Sequence, residues 1–217
     1  MAAPVGGNRA WLAVSVLFGV SYWLARDAAL PAALMIAWKG AGVALLAAYA
    51  LARQHRQIAL VLGLGALGDM LIEFRLEWGA AAFLLGHLIA VQLYLRHRRA
   101  ALGASQKMTG LVLLVLTPLI AWQLTASLLV AVYALGLGAM AGSAWTSSFA
   151  RYRVGIGAVL FVGSDLLIFA RTGVLAHSAL PGLLIWPLYY FGQLLICIGV
   201  CNAAAASADA TTWPAVH

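Results

Sequence analysis

Apolar residues in this chain come in long unbroken runs, without the strict alternation of a strand or the single stripe of a surface helix. A helix that crosses a bilayer needs about 20 mostly apolar residues. Applied along the chain, that rule predicts segments 10–25, 31–52, 57–74, 79–96, 108–123, 126–148, 154–171 and 180–203. The breaks carry charge or turn signals: Arg26-Asp27 before Pro31, the stretch Arg53 to Arg56, Arg75 to Glu77, and Arg96 to Lys107. The break from Gln123 to Ser127 has the weakest signal and also reads as a re-entrant corner. Residues 203–217, small and polar, read as a short tail. The expected fold is all-α: a polytopic bundle of about eight transmembrane helices forming one domain over residues 1–217.

Composition points the same way. Of the 217 residues 65% are hydrophobic and 9% charged, with a mean hydropathy of +0.98. A soluble domain carries roughly 25% charged residues on its surface. This chain cannot cover itself in that manner, so lipid must be most of its surroundings.

The net charge of +7 suggests a nucleic-acid partner only until the cations are located. They are scattered over short loops and never form a stripe with interleaved aromatics, which excludes that reading. If both termini share one side, that side holds Arg9, Arg53, Arg56, Arg96, Arg98, Arg99, Lys107, Arg151 and Arg153. The opposite side holds Arg26, Arg75 and Arg171, and Lys39 belongs to neither. Nine against three is a positive-inside bias that places both termini in the cytoplasm of a plasma or inner membrane. The first segment resembles a signal peptide, but its long Trp-containing run without a small-x-small cleavage site favours a retained helix.

Ionisable groups inside a bilayer cost at least about 2.5 kcal/mol each and mark function by default. Lys39 in the second segment, Asp69 and Glu73 in the third, His87 in the fourth and Asp165 in the seventh fit that description. Tyr189, Tyr190 and Gln193 in the eighth add neutral polar groups. At 1.5 Å per residue, Lys39 lies about 12 Å from the outer end of its helix. The others fall at similar depths, between the outer interface and the bilayer centre. Residues from five helices at one level can surround a single polar cavity.

Each also has a bland explanation. Glu73 is near enough to a helix end to reach interfacial water, and Lys39 is long enough to reach part of the way outward. A lone His87 reads most simply as a hydrogen-bonded core histidine. Gln193 and the tyrosines read as interhelical glue, and the aspartates as a packing network. Gly63, Gly65, Gly138 and Gly142 read as close-packing positions. Cys197 and Cys201, four apart, read as buried packing, since two thiols without further ligands make a poor metal site.

The two aspartates share a local pattern. Asp69-Met-Leu-Ile72-Glu-Phe-Arg75 and Asp165-Leu-Leu-Ile168-Phe-Ala-Arg171 both read Asp-x-Leu-Ile-x-x-Arg, on helices running in the same direction. A parallel four-plus-four repeat has this consequence, and it sets two carboxylates facing each other across a pseudo-twofold axis.

At these residues the chain resembles the lysoplasmalogenase-like membrane family of the YhhN type. The resemblance rests on ordered pieces: Trp38-Lys39, Gly68-Asp69, and Gly79-Ala-Ala-Ala-Phe83-Leu-Leu-Gly-His87. Then come Gly157-Ala-Val-Leu-Phe161-Val-Gly-Ser164-Asp165 and Tyr189-Tyr190-Phe-Gly-Gln193-Leu-Leu-Ile196. Gly40 stands where the family lysine is usually followed by proline.

The resemblance implies hydrolysis of the vinyl ether bond of lysoplasmalogen, a single-chain ether phospholipid, to a fatty aldehyde and a glycerophospho-headgroup. It implies Asp69 and Asp165 as the catalytic pair, Lys39, His87, Glu73, Tyr190 and Gln193 as substrate-binding residues, and no cofactor or metal. The chemistry suits the residues. Protonation of carbon gives an oxocarbenium ion, water captures it, and the hemiacetal collapses. One carboxylic acid and one carboxylate in a shared low-dielectric pocket supply that division of labour, as glycosidases do for a related cation. Two rival expectations stand beside it: a proton-coupled transporter of a small molecule or lipid, and a scaffold whose polar groups only join helices. The sequence leaves the headgroup, the oligomeric state and the acid/base assignment open.

Overall fold

The computed structural model describes residues 5–211, with side chains from residue 10 to residue 203. Its helices are α1 (Val5–Ala25), α2 (Ala32–Ala52), α3 (Arg56–Leu71), α4 (Leu76–Arg96), α5 (Ala104–Thr125), α6 (Leu128–Thr146), α7 (Ile156–Ala170) and α8 (Leu180–Thr211). A five-residue π-helical turn, Arg151–Gly155, leads into α7, the amide of Ile156 reaching back to the carbonyl of Arg151. The polytopic helical bundle expected from the apolar runs is the fold. Among the described residues, six helical stretches are long and apolar enough to cross a membrane: α2, α4, α5, α6, the π turn with α7, and Leu180–Ala203 of α8. The 16-residue α3 and the apolar stretch Ala10–Ala25 of α1 are shorter.

Several boundaries move from their predicted places, each for a local reason. Helix α3 ends at Leu71, and the chain turns through Ile72–Phe74 before Arg75 adopts an extended conformation ahead of α4. Glu73 is therefore in a turn and not in a helix. The corner expected near Gln123 to Ser127 is real but tight. Ala126 takes a left-handed conformation (φ 51°), and the Ser127 hydroxyl caps α6 by accepting from the Val130 amide. Helix α8 continues past residue 203 to Thr211, and residues 212–217 lie outside the described part.

Successive helices pack as antiparallel neighbours, α1 through α4 in a meander, α5 with α6, and α7 with α8. Helix α4 lies on α6 and α2 lies on α8, the pair of cross-contacts that a four-plus-four exchange interconverts. The halves differ in that α7 lies against α5, whereas among the described residues α3 and α1 do not touch.

Small residues set the closest approaches. A Cβ on Gly157 would meet the Gly192 carbonyl at 2.6 Å, and one on Gly192 would meet the Gly157 carbonyl at 2.7 Å, so α7 and α8 run backbone against backbone. Gly138 and Gly142 do the same for α6 against α5. Gly63 corrects the reading from sequence, since nothing lies within 4 Å of where its Cβ would be. Gly65 is tight, but what it meets is Gln193 and Tyr189.

Proline inside α8 is accommodated by a neighbour. Pro187 has no amide hydrogen, so the Leu183 carbonyl one turn earlier lacks its usual partner. Trp23 Nε1 donates to that carbonyl at 3.0 Å. The outer surface is strongly apolar, with Leu17, Leu24, Leu119, Leu128 and Leu129 each more than half exposed, as lipid contact requires.

Candidate active site

The two aspartates sit at corresponding places near one end of the bundle, Asp69 in the last turn of α3 and Asp165 in the middle of α7. Both are buried, with 3% and 5% of their surfaces exposed. Neither is isolated, and each accepts a hydrogen bond from a different tyrosine.

Asp165 Oδ2 accepts from the Tyr133 hydroxyl of α6 at 2.6 Å. That hydroxyl is also 3.3 Å from Nε2 of His87 on α4. The His87 ring packs edge-on to Phe161 and Tyr133, at centroid distances of 5.1 and 5.7 Å. The histidine is thus buried and hydrogen-bonded within reach of the carboxylate network.

Asp69 Oδ2 accepts from the Tyr189 hydroxyl of α8 at 2.8 Å. Gln193, one turn further along α8 and fully buried, supports Tyr189 through a side-chain hydrogen bond. Gly65 makes room for both, because a Cβ there would lie 3.0 Å from Gln193 Nε2 and 3.2 Å from the Tyr189 hydroxyl. Lys39 Nζ pairs with Glu73 Oε1 at 2.6 Å and lies within charge range of Asp69. Glu73 keeps 41% of its side chain exposed and neutralises the lysine.

A cavity of about 370 Å³ opens among the ends of α3, α4, α6 and α7 nearest the carboxylates and the α5–α6 corner. Its walls are mainly apolar, including Ile72, Phe83, Val130 and Ile168, with Asp165 and Tyr133 among the few polar groups. Arg171, Thr172, Thr125 and Glu77 also line it. Ile72 and Ile168 occupy equivalent places in the two Asp-x-Leu-Ile-x-x-Arg stretches, so the cavity lies between the matching ends of the repeated pattern.

The carboxylates nonetheless do not share this space. Asp165 lines the cavity and Asp69 does not. The ring of Phe83 lines it, lies against Gly68 closely enough that a Cβ there would fall 2.9 Å away, and packs edge-on to Tyr189 at 5.8 Å. Phe161 completes the partition, 6.0 Å from Phe83 and 5.0 Å from Tyr189. Aromatic rings separate the two acids.

Of the residues singled out from sequence, Lys39, Glu73, Asp69 and Gln193 gather on one side of that partition, and His87 with Asp165 on the other. Tyr190 joins neither group: its hydroxyl bonds the Ser15 hydroxyl at 2.8 Å and its ring fills the place of a side chain at Gly19. The tyrosine on Asp69 is its neighbour Tyr189. Tyr133, Phe83 and Arg171 were not singled out, although Tyr133 lies six residues into α6 and at the same depth as the acids. Among the described residues no cluster of three or more His, Cys, Asp or Glu has metal-binding geometry.

A model of the YhhN family matches residues 34–200, which include every residue of both carboxylate networks. No curated protein and no solved structure matches the chain.

Proposed function

The chain belongs to the YhhN family, and on that premise we propose that it hydrolyses the vinyl ether bond of lysoplasmalogen, releasing a fatty aldehyde and a glycerophospho-headgroup. The observation that carries this reading is a buried carboxyl group, Asp165, in the wall of a largely apolar 370 Å³ cavity at one end of a membrane bundle. Such a cavity suits a single-chain lipid.

In the proposed reaction Asp165 is the acid. Oδ2 is held by Tyr133, leaving Oδ1 to deliver its proton to the vinyl carbon remote from oxygen. The resulting oxocarbenium ion is captured by water, whose spare proton returns to a carboxylate. The hemiacetal then breaks its carbon–oxygen bond to the glycerol, giving aldehyde and alcohol. One water is consumed and the acid is restored. General acid–base assistance of this kind contributes typically 10²–10⁴-fold.

Asp69 is the partner carboxylate. Its charge opposes the cation, and its Tyr189 and Gln193 contacts fix its orientation. Direct participation of Asp69 in activating water requires the Phe83 ring to swing away from Gly68. Arg171, at the cavity wall, takes the headgroup phosphate, a role that Lys39 cannot readily fill while it is paired with Glu73.

Proton-coupled transport is less well supported, because the core beyond the acids is filled by Leu46, Ala50, Leu62, Leu137 and Met140, an apolar floor under the cavity. The deciding experiment incubates the purified protein with lysoplasmalogen and, separately, with an ester lysophospholipid. Aldehyde from the first and no fatty acid from the second is the expected result. Absence of aldehyde from active-folded protein defeats the proposal.

A further inference from the structure

Away from the carboxylates, the opposite end of the bundle carries a feature that the proposed reaction does not use. Helices α4 and α5 both pack on α6, yet among the described residues they do not touch each other. Gly110, Gly142 and Ser143 keep the α5–α6 contact close. The result is a trough of about 420 Å³ between α4 and α5, walled by Val91, Leu95, Leu111 and Leu114 and floored by Ala139.

The trough runs into a cationic basin. Arg98, Leu102 and Lys107 line both the trough and an adjoining hollow of about 540 Å³ that also includes Arg99. The basin is held in place by backbone contacts with the end of α6. Arg98 pairs with Ser147 as an isolated bridge, the Arg99 amide donates to the Thr146 carbonyl at 3.3 Å, and the Ser148 amide donates to the His97 carbonyl at 2.7 Å. Arg99 Nε is buried without a hydrogen-bond partner.

Among the described residues no anion of the protein balances these charges. The ion pairs among the described residues are Arg26–Asp27 and Lys39–Glu73, both toward the carboxylate end. A positive-inside bias explains why cations collect at this end. It does not explain an apolar trough that ends on them.

We propose that this end of the bundle binds one anionic phospholipid, with an acyl chain in the trough between α4 and α5 and its phosphate against Arg98 and Lys107. Basic pockets between transmembrane helices recognise anionic headgroups in this manner. The preformed basin lowers the ordering cost of binding. The site is independent of the reaction proposed for Asp165, and stands or falls separately.

The test counts lipids retained by the purified full-length protein in native mass spectrometry, after exposure to equal amounts of dioleoyl phosphatidylglycerol and dioleoyl phosphatidylcholine. One phosphatidylglycerol should be retained with a preference of roughly tenfold or more. Arg98→Gln with Lys107→Gln should bring that preference to parity. Arg53→Gln with Arg56→Gln removes equal charge elsewhere at the same end and should leave it intact. Ala139→Phe fills the trough without altering charge and should abolish retention, and Leu114→Phe serves if Ala139→Phe does not fold. Equal retention of both lipids, equal loss in both charge variants, or retention that survives trough filling overturns the proposal. So does displacement by inorganic phosphate at the same concentration, which would reduce the site to an anion patch.

Discussion

Tyr133 and Asp165 are joined by a 2.6 Å hydrogen bond from phenol to carboxyl, in the wall of the 370 Å³ cavity. The same phenol contacts His87, so one hydroxyl from α6 ties α4 to α7 at the Asp165 carboxyl. In the proposed reaction this bond becomes charge-assisted as Asp165 gives up its proton, a gain of roughly 1.5–3 kcal/mol in a low-dielectric site. Tyr133→Phe is predicted to lower kcat by about tenfold to a hundredfold with little change in KM. Steady-state aldehyde release measures this, and an unchanged kcat contradicts the role given to Tyr133.

Asp165→Asn keeps the shape of the side chain and an oxygen to accept from Tyr133, so the fold should persist while the proton donor is gone. Turnover should fall by at least about 10²-fold. Asp69→Asn should also suppress turnover, although Asp69 lies behind Phe83. Near-normal aldehyde production by both variants, each with a wild-type elution profile, rules out the two-carboxylate mechanism.

Lys39 and Glu73 are predicted to behave as a unit. Lys39→Met leaves the Glu73 carboxylate unpaired and Asp69 without its nearby cation, and should cost about 1–3 kcal/mol of stability. The double change Lys39→Met, Glu73→Gln removes both charges and should recover part of that loss. Thermal unfolding in detergent of the wild type, Lys39→Met, Glu73→Gln and the double variant tests the coupling. Additive losses would show that the pair is not energetically linked.

Glycine substitutions should separate contact from propensity. Gly157→Ala drives a methyl into the Gly192 carbonyl, and the two backbones must part, which predicts a loss of about 1–3 kcal/mol or more. Gly63→Ala meets nothing within 4 Å and gains helix propensity, so it should be neutral or stabilising by about 0.5–1 kcal/mol. Similar melting shifts for the two would refute this packing account.

Phe83 is the wall between the cavity and Asp69, and its removal has two separable effects. Phe83→Ala should destabilise the bundle by about 3–5 kcal/mol, the range for a buried aromatic. Gly68→Ala instead pushes the intact ring toward the cavity. It should raise KM for the lipid more than it lowers kcat. A fall confined to kcat would place the ring elsewhere.

Depth along a helix was legible in the sequence, and direction around it was not. Counting from segment ends put Asp69, Asp165 and His87 at one level because lipid forces long apolar runs, and such runs expose any interruption. The same count reaches Tyr133, but a single tyrosine near a helix end reads equally well as an interfacial aromatic. Tyr189 and Tyr190 stand about 100° apart around α8, and it is Tyr189 that meets Asp69 while Tyr190 meets Ser15. Phe83 belongs to the run from Gly79 to His87, but only packing shows that its ring stands between the acids. The repeated Asp-x-Leu-Ile-x-x-Arg pattern gave equal heights for the acids and matching isoleucines at the cavity. It could not give the different tyrosines that turn the two carboxylates apart.

The π turn at Arg151–Gly155 inserts an extra residue into the rise toward Asp165. Were that stretch to shorten by one position and close as an ordinary α turn, everything downstream in α7 would rotate by about 100°. Asp165 would then leave the cavity wall and lose Tyr133, and another face of α7 would line the chamber. The aim of the acid is therefore held by backbone geometry ten residues away, at the far surface of the membrane bundle, where a one-codon deletion that spares every polar side chain would silence it.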